Sequence, residues 1–309
     1  MDKSSKIFVA GHEGMVGSAI CRELKAQGYT NLVVKQRNDL DLRDAAAVET
    51  FFSGEKVEYV IVAAAVVGGI LANMNNQAQF LHENMQIQMS VINSAYRNEV
   101  TKLLFLGSSC IFPKEAPQPI AESSLLTGPL EPTNEGYAIA KIAGLKLCEY
   151  LNRQNGANFI SLMPCNLYGY NDNFDLKTSH FLPALIRKFY EAVRDKSETV
   201  SVWGSGNVQR ELLFVDDLAK ACVFALKNYS GADFLNVGYG EDYTIREYAE
   251  MIKKVSGFEG KIVFDTTKPD GMKRKLMNST KFKALGWKPE TRLQDGIKRT
   301  YEWYSANPV

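Results

Sequence analysis

The chain has 309 residues, 45% apolar and 23% charged, enough for one large α/β unit or two smaller ones. Lysine and arginine number 36 against 35 acidic residues, so no excess positive charge is available for a polyanion, and nucleic acid is a poor partner. Five cysteines, at 21, 110, 148, 165 and 222, form no CxxC pair, which argues for a reduced compartment and against a disulfide framework or a structural metal. The N-terminus enters a strand within six residues, with no signal-like segment, and no apolar run reaches membrane-spanning length. A cytoplasmic protein with no membrane partner is expected.

In chain order, Lys6 to Ala10 reads as a buried strand, followed by Gly11-x-x-Gly14-x-x-Gly17 and a helix from Ser18 to Gln27. A strand over Asn31 to Lys35, a helix over Asp41 to Phe52 and a strand over Tyr59 to Ala65 follow. A long helix, Ala78 to Asn98, leads to a strand at Lys102 to Gly107. Helix Tyr137 to Gln154 and strand Asn158 to Met163 continue the alternation. Near-continuous apolar strands alternating with helices predict a parallel sheet covered on both faces. Beyond Pro164 the pattern loosens. It contains loops at Asn171 to Ser179 and Gly204 to Arg210, helices near Leu182 to Arg194 and Asp216 to Lys227, and a last α/β stretch from Tyr243. The expected fold is α/β: a doubly wound parallel Rossmann sheet over residues 1–165, with a smaller C-terminal α/β substrate domain, mainly 166–309, whose segments interleave with the first.

The glycine triplet lies between the first strand and its helix. There glycines permit a tight turn and close approach of backbone to a pyrophosphate, while the helix N-terminus faces its charge. The second strand ends Val34-Lys35-Gln36-Arg37-Asn38, with no carboxylate before Asp39 to receive a ribose 2′-hydroxyl. Lys35 and Arg37 suit a 2′-phosphate instead, which favours NADP(H); Glu13, inside the glycine loop, weighs mildly the other way.

Tyr137 and Lys141 share one helix face, one turn apart, downstream of the strand that ends at Gly107-Ser108-Ser109-Cys110. A nearby ammonium favours the phenolate, and a serine hydroxyl can bond the oxygen that exchanges a proton. Cys110, on the loop leaving a strand's carboxyl end, reads either as an acid/base thiol or as a small buried apolar residue. Of three histidines, His12 lies in the glycine loop and His82 in a helical pattern, while His180 follows an Asn/Asp-rich loop.

The segments Leu104 to Pro113, Glu131 to Lys141, Pro164 to Gly169 and Val202 to Gly206, with Lys268 to Gly271, together resemble the extended short-chain dehydrogenase/reductase superfamily. Within it they are most similar to the GDP-L-fucose synthase family, along nearly the whole chain. That family epimerises carbons 3 and 5 of GDP-4-keto-6-deoxy-D-mannose and then reduces carbon 4 with NADPH. The resemblance implies Ser108, Cys110, Tyr137, Lys141 and His180 as catalytic, with Lys141 binding the nicotinamide ribose and lowering the tyrosine pKa. It implies cofactor contacts at Gly11, Gly14, Met15, Val16, Gly17, Lys35 and Arg37. Further ones are implied at Asp41, Leu42, Ala63, Ala64, Ala65, Lys141, Pro164, Asn166, Leu167 and His180. The GDP-sugar falls to Ser109, Asn166, Lys188, Trp203, Arg210, Asp270 and Lys275, with Arg187 an alternative to Lys188. No metal is implied, and a homodimer is expected by analogy, through the helices Ala78 to Asn98 and Tyr137 to Gln154. Three positions depart from the family pattern. Glu13 stands where some relatives carry arginine, Tyr170 replaces a proline, and Asn278 replaces a frequent aspartate. A 4-reductase of another GDP-6-deoxy-4-keto sugar, and a non-catalytic NADP-sensing protein, are the competing expectations.

Overall fold

The computed structural model describes residues 1–268 and 270–308; Pro269, within the Lys268 to Gly271 motif, lies outside them. Strand β1 (Ile7–Ala10) is buried at every residue and leads into α1 (Met15–Ala26). Then come β2 (Leu32–Val33), α2 (Ala45–Glu55), β3 (Tyr59–Val62), α3 (Ile70–Asn75) and α4 (Gln77–Arg97). Strand β4 (Lys102–Leu106), helix α5 (Glu135–Asn155) and β5 (Phe159–Pro164) complete the first part of the alternation. After it come β6 (Asn166–Tyr168), α6 (Phe181–Arg194), β7 (Thr199–Trp203), β8 (Gln209–Phe214), α7 (Val215–Asn228) and β9 (Leu235–Val237). The chain ends with β10 (Asp242–Thr244), α8 (Ile245–Ser256), β11 (Lys261–Asp265), β12 (Arg274–Lys275), α9 (Thr280–Ala284) and α10 (Leu293–Ala306).

Six strands form one parallel sheet in the order β2-β1-β3-β4-β5-β9. The order reverses at β1, from which the chain runs to one side for β2 and to the other for β3. The crevice at the carboxyl ends of β1 and β3 is where such sheets bind ligands. Helices α1 and α7 pack together, as do α2 with α4 and α4 with α5. One apolar core holds this sheet, from Ile7 to Cys165, and takes back Leu213 to Val237. A second, around Tyr168, Leu182, Phe189, Tyr248 and Tyr304, lies among β7, β8, α6, α8 and α10. Among the described residues no helix is long and apolar enough to cross a membrane.

Several boundaries differ from the sequence reading, each for a local reason. Helix α1 begins at Met15 rather than Ser18, because the glycine loop itself supplies the N-cap at Gly14. Helix α2 begins at Ala45 rather than Asp41: Asp44 caps it, accepting from the N–H groups of Ala46 and Ala47, while Asp41 is engaged by Arg43. Strand β2 stops at Val33 because Val34 leaves the ladder and is 40% exposed. Strand β3 likewise ends at Val62, short of Ala65. The short helix α3 carries no apolar period long enough to be read in advance.

Candidate functional site

The cofactor loop is shaped by sterics. Gly11 adopts φ +85°, and a β-carbon there would stand 2.7 Å from the Cα of Ala64. A β-carbon on Gly17 would collide with the Gly11 carbonyl. Gly14 is different: added substance would meet only the Gly11 carbonyl oxygen, at an ordinary 3.6 Å. Gly11 and Gly17 therefore let β1, β3 and α1 converge, and Gly14 leaves its approach open. Helix α1 has no side-chain cap and no acidic residue in its first turn, so the amides of Met15, Val16 and Gly17 remain available to an anion. Ala63 donates to the Ala10 carbonyl at 3.1 Å and Ala64 lies against Gly11, which sets both beside the loop, with Ala65 next in the chain. Asn84 on α4 steadies that segment, accepting from Val66 N–H and donating to Val66 O, both at 2.9 Å. Sequence reasoning missed Asn84, whose only signal was a buried-face amide in an apolar period.

At the end of β2, Lys35 stands 5.9 Å from the Phe51 ring centre, and the largely exposed Arg37 lies 3.8 Å from Glu83. Arg43 grips Asp41 in a two-pronged pair and reaches Glu83 at 2.9 Å. Its hydrogen bonds pull the Asp41 carboxyl down to about 2. Glu83 and Arg43 were not expected here. Leu42 packs against the main core, and Glu13 is exposed. These exposed cations, with the open loop at Gly14, fit a dinucleotide carrying an additional phosphate.

The reacting centre joins β4 to α5. Ser108 caps the turn Ser109–Ile111, its hydroxyl accepting from Cys110 N–H at 3.3 Å, and is hydrogen-bonded to the Tyr137 hydroxyl. Ser109 itself is buried. Lys141, on the next turn from Tyr137, is buried and donates to the Leu106 carbonyl at 2.8 Å. Its ammonium lies 5.8 Å from the Tyr137 ring centre and 4.9 Å from that of Phe105. The expected lowering of the tyrosine pKa is not found. Burial pushes the phenol well up, the Cys110 sulfur adds to this, and the Ser108 bond pulls back only in part. Burial likewise brings Lys141 down to about 8. Desolvation outweighs the ammonium because Lys141 spends its hydrogen bond on a carbonyl rather than on the phenol.

Cys110 Sγ accepts from Asn134 Nδ2 at 3.3 Å and lies 3.8 Å from Lys275 Nζ. His180 is the N-cap residue of α6; it keeps accessible surface yet has protein on most sides, as a cleft-lining residue does. Its pKa is lowered, first by the surrounding protein and then by Lys275. Lys275 thus reaches the centre of the site through the pairing of β12 with β8, where it is the register partner of Arg210. Pro164 ends β5, and Asn166 and Leu167 open β6, both partly buried. Gly69 N–H donates to the Thr178 carbonyl at 2.8 Å, bringing the loop after β3 against the one preceding His180.

The other end of the cleft is aromatic and cationic. The Trp203 ring, 51% exposed, has Lys188 Nζ at 5.5 Å and Lys268 Nζ at 5.6 Å from its centre. Lys188 donates to the Ser201 carbonyl at 2.9 Å, and burial lowers its pKa. Arg187 pairs with Glu191 at 2.8 Å, which leaves Lys188, with Lys268, facing the tryptophan. Arg210 donates to the carbonyls of Gln209 and Met272, both at 2.7 Å, and burial lowers its pKa. Asp270 is hydrogen-bonded to Ser205, inside the Trp203 to Gly206 turn. Two of the departures have structural uses: Tyr170 packs edge-on to Phe214 and bonds Arg299, and Asn278 accepts from Thr280 N–H.

A family model described as NAD dependent epimerase/dehydratase family matches residues 7–238. The chain is 60% identical over 306 residues to GDP-L-fucose synthase 1 of Arabidopsis thaliana, covering 99% of this chain and 95% of the relative. It is 50% identical over 311 residues to the GDP-L-fucose synthase of Escherichia coli strain K12, covering 98% and 97%. Among solved structures, a GDP-mannoheptose C4 reductase from Campylobacter jejuni with NADP bound matches with a TM-score of 0.90 at 40% identity, covering 98% of this chain and 99% of that one. The glycine loop, the Ser108–Tyr137–Lys141 grouping and these matches agree, and the chain belongs to the NAD dependent epimerase/dehydratase family, beside the GDP-L-fucose synthases.

Proposed function

We propose that the protein converts GDP-4-keto-6-deoxy-D-mannose to GDP-L-fucose, inverting carbons 3 and 5 and reducing carbon 4 with NADPH. The observation that carries this reading is Cys110 beside Lys275, whose charge also lowers the His180 pKa, next to the Ser108–Tyr137 pair. Full-length identity of 50–60% to named synthases supports the substrate.

A ketone at carbon 4 acidifies the hydrogens on carbons 3 and 5. One base withdraws the proton, the electron pair moves onto the carbonyl oxygen, and an acid returns a proton on the opposite face. Cys110 and His180 take these two roles, and burial followed by the charge of Lys275 lowers the His180 pKa. When bound, NADPH would supply a hydride for carbon 4. Tyr137, held protonated by burial, gives its hydroxyl proton to the oxygen at that carbon, and Ser108 bonds the same oxygen. Lys141 holds the nicotinamide ribose. The amides of Met15 to Gly17 receive the pyrophosphate and Lys35 and Arg37 the 2′-phosphate. Lys188, Trp203, Arg210 and Asp270 hold the GDP end, with Asn166 orienting the sugar.

In this reading residues 1–165 form the cofactor unit and 166–309 mainly the substrate unit. The two apolar cores support that division. The protein works as a homodimer through α4 and α5, where Ile139 and Tyr150 are 43% and 49% exposed, and resides in the cytoplasm, in keeping with five free cysteines.

The test is turnover of GDP-4-keto-6-deoxy-D-mannose with NADPH in deuterated water, with NMR of the product. Deuterium at carbons 3 and 5 and one NADPH consumed per sugar is the expected result. Reduced sugar without label at either carbon refutes the epimerase assignment.

A further inference from the structure

Asn134 is the residue before α5, where an asparagine ordinarily turns its side-chain oxygen back to the free amides of the helix's first turn. Here it makes no such bond. Its amide nitrogen instead donates to Cys110 Sγ at 3.3 Å, and its Oδ1 is buried with no hydrogen-bond partner among the described residues. Two ordinary uses of the side chain are thus forgone, capping and satisfaction of its own oxygen. From the other side Lys275 brings its ammonium to 3.8 Å from the same sulfur. The two donors come from segments far apart in the chain. Asn134 arrives on the Pro132–Asn134 turn entering α5, and Lys275 on β12, registered against Arg210. A sulfur faced by two N–H donors is an acceptor in both contacts.

We propose that Asn134 and Lys275 form a two-donor clamp that holds the Cys110 sulfur as the proton-accepting partner in epimerisation and fixes its direction of attack. Both are positioning residues: they act on the reaction through the sulfur. The proposal rests on the reading of Cys110 as an acid/base residue and adds what holds its sulfur in place. His180 then serves the opposite face, and the charge of Lys275 acts on it as well.

The experiment separates the clamp from the reading beneath it. Asn134→Asp keeps the shape of the side chain but exchanges its donors for a charge, so it is read together with the uncharged Asn134→Leu, which must show the same fall; Lys275→Met removes the ammonium and keeps the length, and Lys275→Arg restores a donor. The first readout is independent of turnover: the rate at which iodoacetamide alkylates Cys110 at pH 7, followed by peptide mass spectrometry. It should fall about tenfold in Asn134→Asp and in Lys275→Met, the scale of one hydrogen bond to a charged group, and recover in Lys275→Arg. The second readout is deuterium at carbons 3 and 5 per sugar reduced, which should fall in parallel. Alkylation within twofold of the parent in both variants overturns the proposal, and a fall in only one of them overturns the two-donor form. Cys110→Ser tests the underlying reading: full labelling at both carbons in that variant removes the role of Cys110. Loss of labelling there, with alkylation unchanged in Asn134→Asp and Lys275→Met, leaves Cys110 in place and removes the clamp alone.

Discussion

Asp270 holds Ser205 with both carboxylate oxygens, accepting from its backbone N–H at 2.7 Å and from its hydroxyl at 2.8 Å. This pins the turn of Trp203 to Gly206, whose two glycines sit at φ +82° and +79°, where other residues are strained. Asparagine at 270 retains the shape but has one oxygen for two donors. Asp270→Asn should raise KM for the GDP-sugar about tenfold, the loss of one charge-assisted bond, with kcat within about twofold. Steady-state kinetics at saturating NADPH check this; an unchanged KM removes the turn from substrate binding.

Tyr137→Phe should slow the reduction step by about 10²-fold or more while labelling of carbons 3 and 5 in deuterated water continues. Burial pushes the phenol up, so the acid stays loaded between about pH 7 and 9, and a fall in the parent's reduction rate across that window follows Lys141, brought down to about 8. Stopped-flow NADPH fluorescence measures both. Full reduction in the phenylalanine variant would falsify the proton-donor role.

The glycine loop, the Tyr137–Lys141 pair and the parallel alternation were legible in the sequence because each depends on spacing within one or two elements. The positions of Lys275 and Asn134 were not. Lys275 reaches Cys110 only through the pairing of β12 with β8, a contact across 165 residues that no local pattern records. Asn134 carries the ordinary signature of a helix cap, and its use on the sulfur is visible only once the Ser108–Ile111 turn is in place. The tyrosine's pKa was misjudged for a related reason: one-turn spacing gives proximity to an ammonium, but says nothing of the Leu106 carbonyl that occupies it.

Asp172 provides a pH signature of stability. One of its oxygens accepts from Asn173 N–H at 2.7 Å, the other is buried without a partner among the described residues, and burial raises its pKa to about 7. The folded state therefore binds a proton that the unfolded state has released above the ordinary carboxylate range. The associated stability is fully present below about pH 4 and is lost as pH rises through about 7. In Asp172→Asn that loss disappears. Urea unfolding at several pH values should show the variant gaining about 2–3 kcal/mol on the parent between pH 5 and 8. Parallel curves would assign the carboxylate an ordinary pKa.

Cofactor choice should follow the end of β2. Arg37→Ala removes a cation whose only ion pair among the described residues is a 3.8 Å contact with Glu83. Its preference for NADPH over NADH should fall about tenfold, the scale of one phosphate contact, chiefly through KM for NADPH. Lys35→Ala should act in the same direction. Comparison of kcat/KM for the two cofactors is decisive, and unchanged ratios in both variants place the 2′-phosphate elsewhere.

Strand β9 closes the sheet from far along the chain: Cys165 N–H bonds the Val237 carbonyl at 2.9 Å, and Glu122 and Ile120 receive hydrogen bonds from Asn236. On the ribosome, β5 is made long before its neighbour. At about 5–20 residues per second, the interval from Pro164 to Leu235 lasts roughly 4 to 14 s, during which an apolar edge stands unpaired. A protein cut after residue 165 never escapes that state. The cofactor half becomes a finished object only after much of the substrate half has been translated.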